Sequence, residues 1–235
     1  MAAEERQTVS ADGLTIPLEL FRPAVSGRVP AVLVLPEIFG LNDDMRRIAR
    51  RFADHGYLAA VPDFLAGGWY VGCVLRAARD LRAGSGATVA VLEAVIATLA
   101  ARPDVGKVGA AGFCMGGGYA LLLGTRERLS AAGVFYGDRR PREALAHACP
   151  ITGGYGARDR LFGPQGRQLI SDLDALGRPH DVKMYEDAGH SYMSDTDHPV
   201  LAMLTRPLMA VAYDPAAAED SWQRMLAFFA RHLAD

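Results

Sequence analysis

The chain has 235 residues, 25 Lys and Arg against 27 Asp and Glu, a net charge of −2, and half of its residues are hydrophobic. This balance excludes a disordered chain and leaves no cationic excess for a dedicated nucleic-acid binder. The length suits one domain of the α/β class, and three cysteines are too few for a disulfide scaffold.

Residues 7–22 read as an N-terminal hairpin, two alternating segments around the turn signal Asp12-Gly13. Residues 31–35 form a continuous apolar run ended by Pro36, which suits a strand buried on both faces. A helix is predicted next, with Asn42 as N-cap and Asp43 and Asp44 at its positive end. Its buried face is Met45, Ile48, Ala49, Phe52 and Ala53, and Gly56 stops it. Residues 57–61 are a second buried strand. Cys73 falls in a loop rich in Gly, Trp and Tyr at 67–72.

The alternation continues. Val89, Leu92, Val95, Ile96 and Leu99 mark a helix, residues 107–111 a strand, and residues 115–123 a helix of small residues. Strands follow at 131–136 and 150–155. Leu169, Ile170, Leu173 and Leu176 mark a helix ending at Gly177, residues 181–185 a strand, and Trp222, Met225, Leu226, Phe229 and Leu233 the closing helix. Strands alternating with helices imply a mostly parallel sheet with helices on both faces. Residues 191–218 stay irregular and are read as an insertion, a candidate lid. The start, residues 1–8, has no apolar signal-peptide core, and no apolar run reaches the roughly 18 residues of a membrane span. The expectation is a cytoplasmic protein with no nucleic-acid or membrane partner. Oligomeric state is not readable.

One segment carries chemistry. Gly112-Phe113-Cys114-Met115-Gly116 joins a strand to a helix in the pattern of a nucleophile elbow, with Cys where Ser is usual. The sharp turn needs glycines, and the helix start offers the Met115 N–H to a developing oxyanion. A cysteine nucleophile needs a base, and the base needs an orienting acid. Of six histidines, His190 stands apart because it follows the last strand, at the sheet edge where parallel sheets bind ligands. Asp159 occupies the matching loop after the preceding strand. The chain order Cys114, Asp159, His190 is that of α/β-hydrolases. Glu37 follows the first buried strand at the same edge. Phe39, Trp69 and Tyr192 are candidates to line a substrate pocket. No cysteine and histidine spacing suggests a metal site, and no cofactor motif is present.

Together, Pro36-Glu37-Ile38-Phe39-Gly40, Pro62-Asp63, the Cys114 elbow, the Asp159 loop and Gly189-His190-Ser191-Tyr192 resemble the dienelactone hydrolase family. The resemblance implies an α/β-hydrolase fold, a Cys114–His190–Asp159 triad and a thioester acyl-enzyme. It further implies that Glu37 helps generate the thiolate and that the Ile38 and Met115 N–H groups form the oxyanion hole. It also implies an arginine four residues after the histidine that holds a substrate carboxylate. That position here is Ser194, and Arg76, Arg79 and Arg82 are the candidates for another clamp. The expected function is hydrolysis of a small ester or lactone. The alternatives are a cysteine peptidase and a non-catalytic thiol sensor or binding protein on a hydrolase scaffold.

Overall fold

The computed structural model describes residues 3–126, 128–195 and 207–234. The chain opens with β1 (Ala3–Ala11) and β2 (Leu14–Arg22), paired antiparallel with Ala11 opposite Leu14. Asp12 and Gly13 both have positive φ (48° and 73°), the geometry that a two-residue hairpin loop requires. β2 runs antiparallel to β4 (Leu58–Pro62), and β4 runs parallel to β3 (Val29–Leu35). The sheet continues in parallel through β5 (Val105–Phe113), β6 (Ala131–Phe135), β7 (Ile151–Gly156) and β8 (His180–Tyr185). Its order is β1-β2-β4-β3-β5-β6-β7-β8. All the parallel strands therefore present their carboxyl ends at one edge.

Every residue of β4, β6 and β7 is buried, so both faces of the sheet are covered. Two neighbouring residues of β6 show by what. A Cβ on Gly124 would lie 3.2 Å from the Ala132 Cβ, whereas a Cβ on Gly133 would lie 3.4 Å from Met225 Sδ. Successive strand residues point to opposite faces. The helices α4 (Met115–Gly124) and α7 (Pro215–His232) consequently lie on opposite sides.

α1 (Asp43–Asp54) joins α7, with Phe52 packed 4.7 Å from Trp222 and 6.2 Å from Phe229 between ring centroids. Burying a side chain of that size contributes about 1.5–3 kcal/mol. Asn42 caps α1 by accepting the Met45 N–H at 2.9 Å, in line with the sequence. α4 packs against α2 (Tyr70–Ala83), where the Tyr119 hydroxyl donates to the Ala77 carbonyl at 2.7 Å. α3 (Ala87–Ala100), the short α5 (Arg142–Leu145) and α6 (Gly163–Ala175) are further helices, and residues 207–209 are also helical.

α2 corrects the sequence reading. Residues 70–73 belong to a helix, not to a loop. Cys73, Ala77 and Leu81 recur at helical spacing and are buried, but Gly67, Gly68 and Gly72 mask the start of that stripe in the sequence. Among the described residues, no single helix is long and apolar enough to cross a membrane.

Candidate active site

β5 ends where α4 begins, and Cys114 is the residue between them. Its φ of 52° and ψ of −116° lie where a side chain is strained. The neighbouring glycines make the turn feasible. A Cβ on Gly112 would sit 2.0 Å from the Gly116 carbonyl oxygen, and one on Gly116 would sit 2.1 Å from that of Leu35. The elbow is thus wedged against the end of β3. The Cys114 N–H donates to the Phe135 carbonyl at 3.1 Å, which ties the turn to β6. Met115 is the first residue of α4, so its N–H has no acceptor within the helix.

Asp159 and His190 come from the loops after β7 and β8. The Asp159 Oδ1 accepts the backbone N–H groups of Leu161 and Phe162, both at 3.0 Å. Its Oδ2 accepts His190 Nδ1–H at 2.7 Å, and both side chains are buried. An ionised carboxylate only accepts, so the Nδ1 proton is fixed and Nε2 is left for the reaction. Nε2 is buried and makes no hydrogen bond to a described residue. The ring is gripped by Phe162 (centroids 4.7 Å apart) and Tyr136 (5.0 Å). Burial lowers the imidazole pKa, but the Cys114 thiolate and the Asp159 hydrogen bond outweigh it and push it up to about 10.

Ile38, Cys114, Met115 and Phe162 line one cavity of about 420 Å³. Its remaining walls come from the second half of α2 and from the loop after β6. The expected nucleophile and both expected oxyanion donors therefore share a space large enough for a small ester.

Glu37 is buried but is not part of the cavity wall. It accepts the Ser194 hydroxyl at 2.6 Å, and the Tyr136 hydroxyl lies 3.5 Å from that same Ser194 Oγ. Burial raises the Glu37 pKa, while the Ser194 hydroxyl and the His190 charge oppose the rise. The position from which a carboxylate-holding arginine is missing thus supplies a neutral donor to Glu37. Tyr136, at the carboxyl end of β6 with φ 41°, joins this network. It was legible as a strand-end residue, but its role needs the fold.

Phe39, Trp69 and Tyr192, expected to line a pocket, are not in the wall of this cavity. Tyr192 is fully buried and bonds Ser221 at 2.8 Å between hydroxyl oxygens, so it belongs to the core. Trp69 is 73% exposed at the start of α2. Phe39 is half-buried beside Ile38 and outside the cavity wall. Of the three arginine candidates, Arg76 binds the Phe64 carbonyl and Arg79 binds Asp80, whereas Arg82 lines the cavity.

Part of the candidate lid, residues 196–206, lies outside the described residues. The described remainder backs the histidine loop: His190 N–H donates to the Met209 carbonyl at 2.8 Å and Asp214 N–H to that of Tyr192 at 3.0 Å. None of it lines the cavity. Among the described residues, no group of three His, Cys, Asp or Glu side chains could hold a metal.

Residues 17–233 match the family described as the dienelactone hydrolase family. The chain is 28% identical over 226 residues to the carboxymethylenebutenolidase of Rhodococcus opacus, covering 88% of this chain and 83% of that one. A dienelactone hydrolase-like promiscuous phosphotriesterase from metagenomic libraries superposes with a TM-score of 0.81 at 25% identity, over 99% of this chain and all of the other. The dienelactone hydrolase of Anabaena variabilis shares the fold, with a TM-score of 0.71 at 20% identity over 99% of both chains.

Proposed function

The chain belongs to the dienelactone hydrolase family, and from that premise we propose that it hydrolyses small esters or lactones by acylating Cys114. Relatives named for lactone hydrolysis support a hydrolase of that class. The observation that carries the mechanism is the shared cavity of Cys114, Ile38 and Met115, backed by the Asp159–His190 hydrogen bond.

The steps balance as follows. With the proton held on His190 Nε2, the Cys114 thiolate sulfur attacks the carbonyl carbon. The carbonyl oxygen becomes an oxyanion, which the Ile38 and Met115 N–H groups stabilise. The imidazolium returns the proton to the leaving alcohol oxygen as the C–O bond breaks, leaving a thioester. His190 then takes a proton from water, the hydroxide displaces the thiolate, and the acid departs. Asp159 holds the imidazole in the required tautomer throughout.

Glu37 belongs to this account as a buried acid at the same edge, with its carboxyl held by Ser194. A reducing cytoplasm suits the chemistry because it keeps Cys114 a thiol. Family membership favours ester over peptide substrates, and the complete set of reacting groups disfavours a retired scaffold.

The test is hydrolysis of 4-nitrophenyl acetate by the intact protein and by Cys114→Ala. The account expects turnover that falls by roughly 10³-fold or more in the variant. A loss of only a few-fold would remove Cys114 from the mechanism.

A further inference from the structure

The turn after β3 carries one of the two expected oxyanion donors. Ile38 and Phe39 form it, and the Gly40 N–H closes it by donating to the Glu37 carbonyl at 3.0 Å. Gly40 has a φ of 68°, and a Cβ there would lie 3.1 Å from Asp63 Oδ1, so the residue after β4 backs the far end of the turn. Ile38 is half-buried and lines the cavity with Cys114. Its carbonyl accepts the Tyr70 hydroxyl at 2.5 Å. A carbonyl only accepts, so the phenol must be the donor. Partial burial raises the Tyr70 pKa above the ordinary 10, which keeps that proton in place at neutral pH.

Tyr70 is a firm support. It is the first residue of α2, and that helix is pinned close by, where Cys73 is buried and Arg76 donates to the Phe64 carbonyl at 2.9 Å. Tyr70 is itself 47% exposed, so core packing does not account for it. The consequence for Ile38 follows from peptide planarity. The Ile38 N–H shares a rigid unit with the Glu37 carbonyl, which Gly40 holds. The next unit contains the Ile38 carbonyl, which Tyr70 holds. Both units flanking the Ile38 Cα are anchored, so neither of its backbone torsions is free to drift.

From this geometry we infer that Tyr70 is a positioning residue, whose hydroxyl acts through the Ile38 carbonyl to keep the Ile38 N–H set for the oxyanion. This role rests on the ester-hydrolase reading above and adds a residue to it. Tyr70 is not in the cavity wall and acts only through Ile38. Its effect is preorganisation, because a donor already in place need not reorganise as charge develops on the carbonyl oxygen.

The experiment compares the intact protein with Tyr70→Phe, which keeps the ring and removes the hydroxyl. Two reactions are followed. Hydrolysis of 4-nitrophenyl acetate passes through an oxyanion. Alkylation of Cys114 by iodoacetamide does not, since the sulfur displaces iodide at a saturated carbon. The expected result is a roughly tenfold fall in kcat with KM changed less than twofold, the pattern of an interaction made in the transition state. The alkylation rate should stay within twofold, and thermal unfolding checks that the half-exposed variant is folded. A fall in kcat of less than threefold overturns the inference while ester hydrolysis stands. So does a loss carried by KM, or an alkylation rate that falls in step with kcat. Failure of the intact protein to turn over the ester overturns the hydrolase reading and the inference with it.

Discussion

His190 Nδ1 donates to Asp159 Oδ2 at 2.7 Å, while the other oxygen of that carboxylate accepts two backbone N–H groups of its own loop. The acid is therefore held by the chain that follows β7, and the histidine is aimed by an acid that cannot swing away.

This relationship sets a pH prediction. The folded-state pKa of His190, about 10, lies above the ordinary 6.5. The group thus stabilises the folded protein fully below pH 6.5, and that contribution is lost as pH rises through about 10. The imidazolium that protonates the leaving group disappears over the same range. Asp159→Asn removes a hydrogen bond and a charge that both raise this pKa. Its alkaline limb should move to lower pH, and kcat should fall by roughly 10³-fold or more. A pH–rate profile of the two proteins with an activated ester measures both effects. An unmoved limb would show that Asp159 does not govern His190.

Glu37 gives a prediction of opposite sign. Its folded-state pKa is raised above the ordinary 4.5, mainly by burial. Folding is therefore favoured at low pH and weakened as pH rises from 4.5 through the folded value. Glu37→Gln removes the buried charge and keeps an oxygen to accept the Ser194 hydroxyl. Urea unfolding at pH 7 should show the variant to be the more stable protein, with the difference vanishing below pH 4.5. Greater stability of the native protein at pH 7 would contradict the buried, weakly compensated carboxyl.

The elbow predicts a steric effect. Gly116→Ala places a methyl carbon 2.1 Å from the Leu35 carbonyl oxygen, and Gly112→Ala places one 2.0 Å from that of Gly116. Both contacts are backbone, so neither neighbour can turn aside. Each substitution should lower stability by about 3 kcal/mol or more, read by thermal unfolding. Gly177, which has open space around its Cβ position but a φ of 59°, should cost only about 1 kcal/mol when changed to Ala.

Much of this was legible beforehand. Cys114, Asp159 and His190 each follow a strand of a parallel sheet, so chain order alone brought them to one edge. The hairpin turn at Asp12-Gly13 and the Asn42 cap are local signals that nothing distant opposes. The start of α2 was hidden because three glycines interrupt an apolar stripe whose value appears only when α4 covers it. The cavity wall was hidden for a related reason. Arg82 and Arg139 line one cavity only because α2 and the β6–α5 loop converge, and no spacing in the sequence records that. Tyr192 illustrates the reverse error, since adjacency to His190 suggested the pocket while its ring turned into the core. Ser194 was legible as an absent arginine, and only the structure shows its hydroxyl holding Glu37.

The central claim is a covalent one, and acid-quenched mass spectrometry tests it most directly. The protein is mixed with 4-nitrophenyl acetate, quenched during the first turnover, digested and sequenced. The account predicts one acetyl group on the peptide containing Cys114, appearing no more slowly than 4-nitrophenol is released in steady state. Acetylation confined to other residues, with hydrolysis persisting in Cys114→Ala, would contradict it.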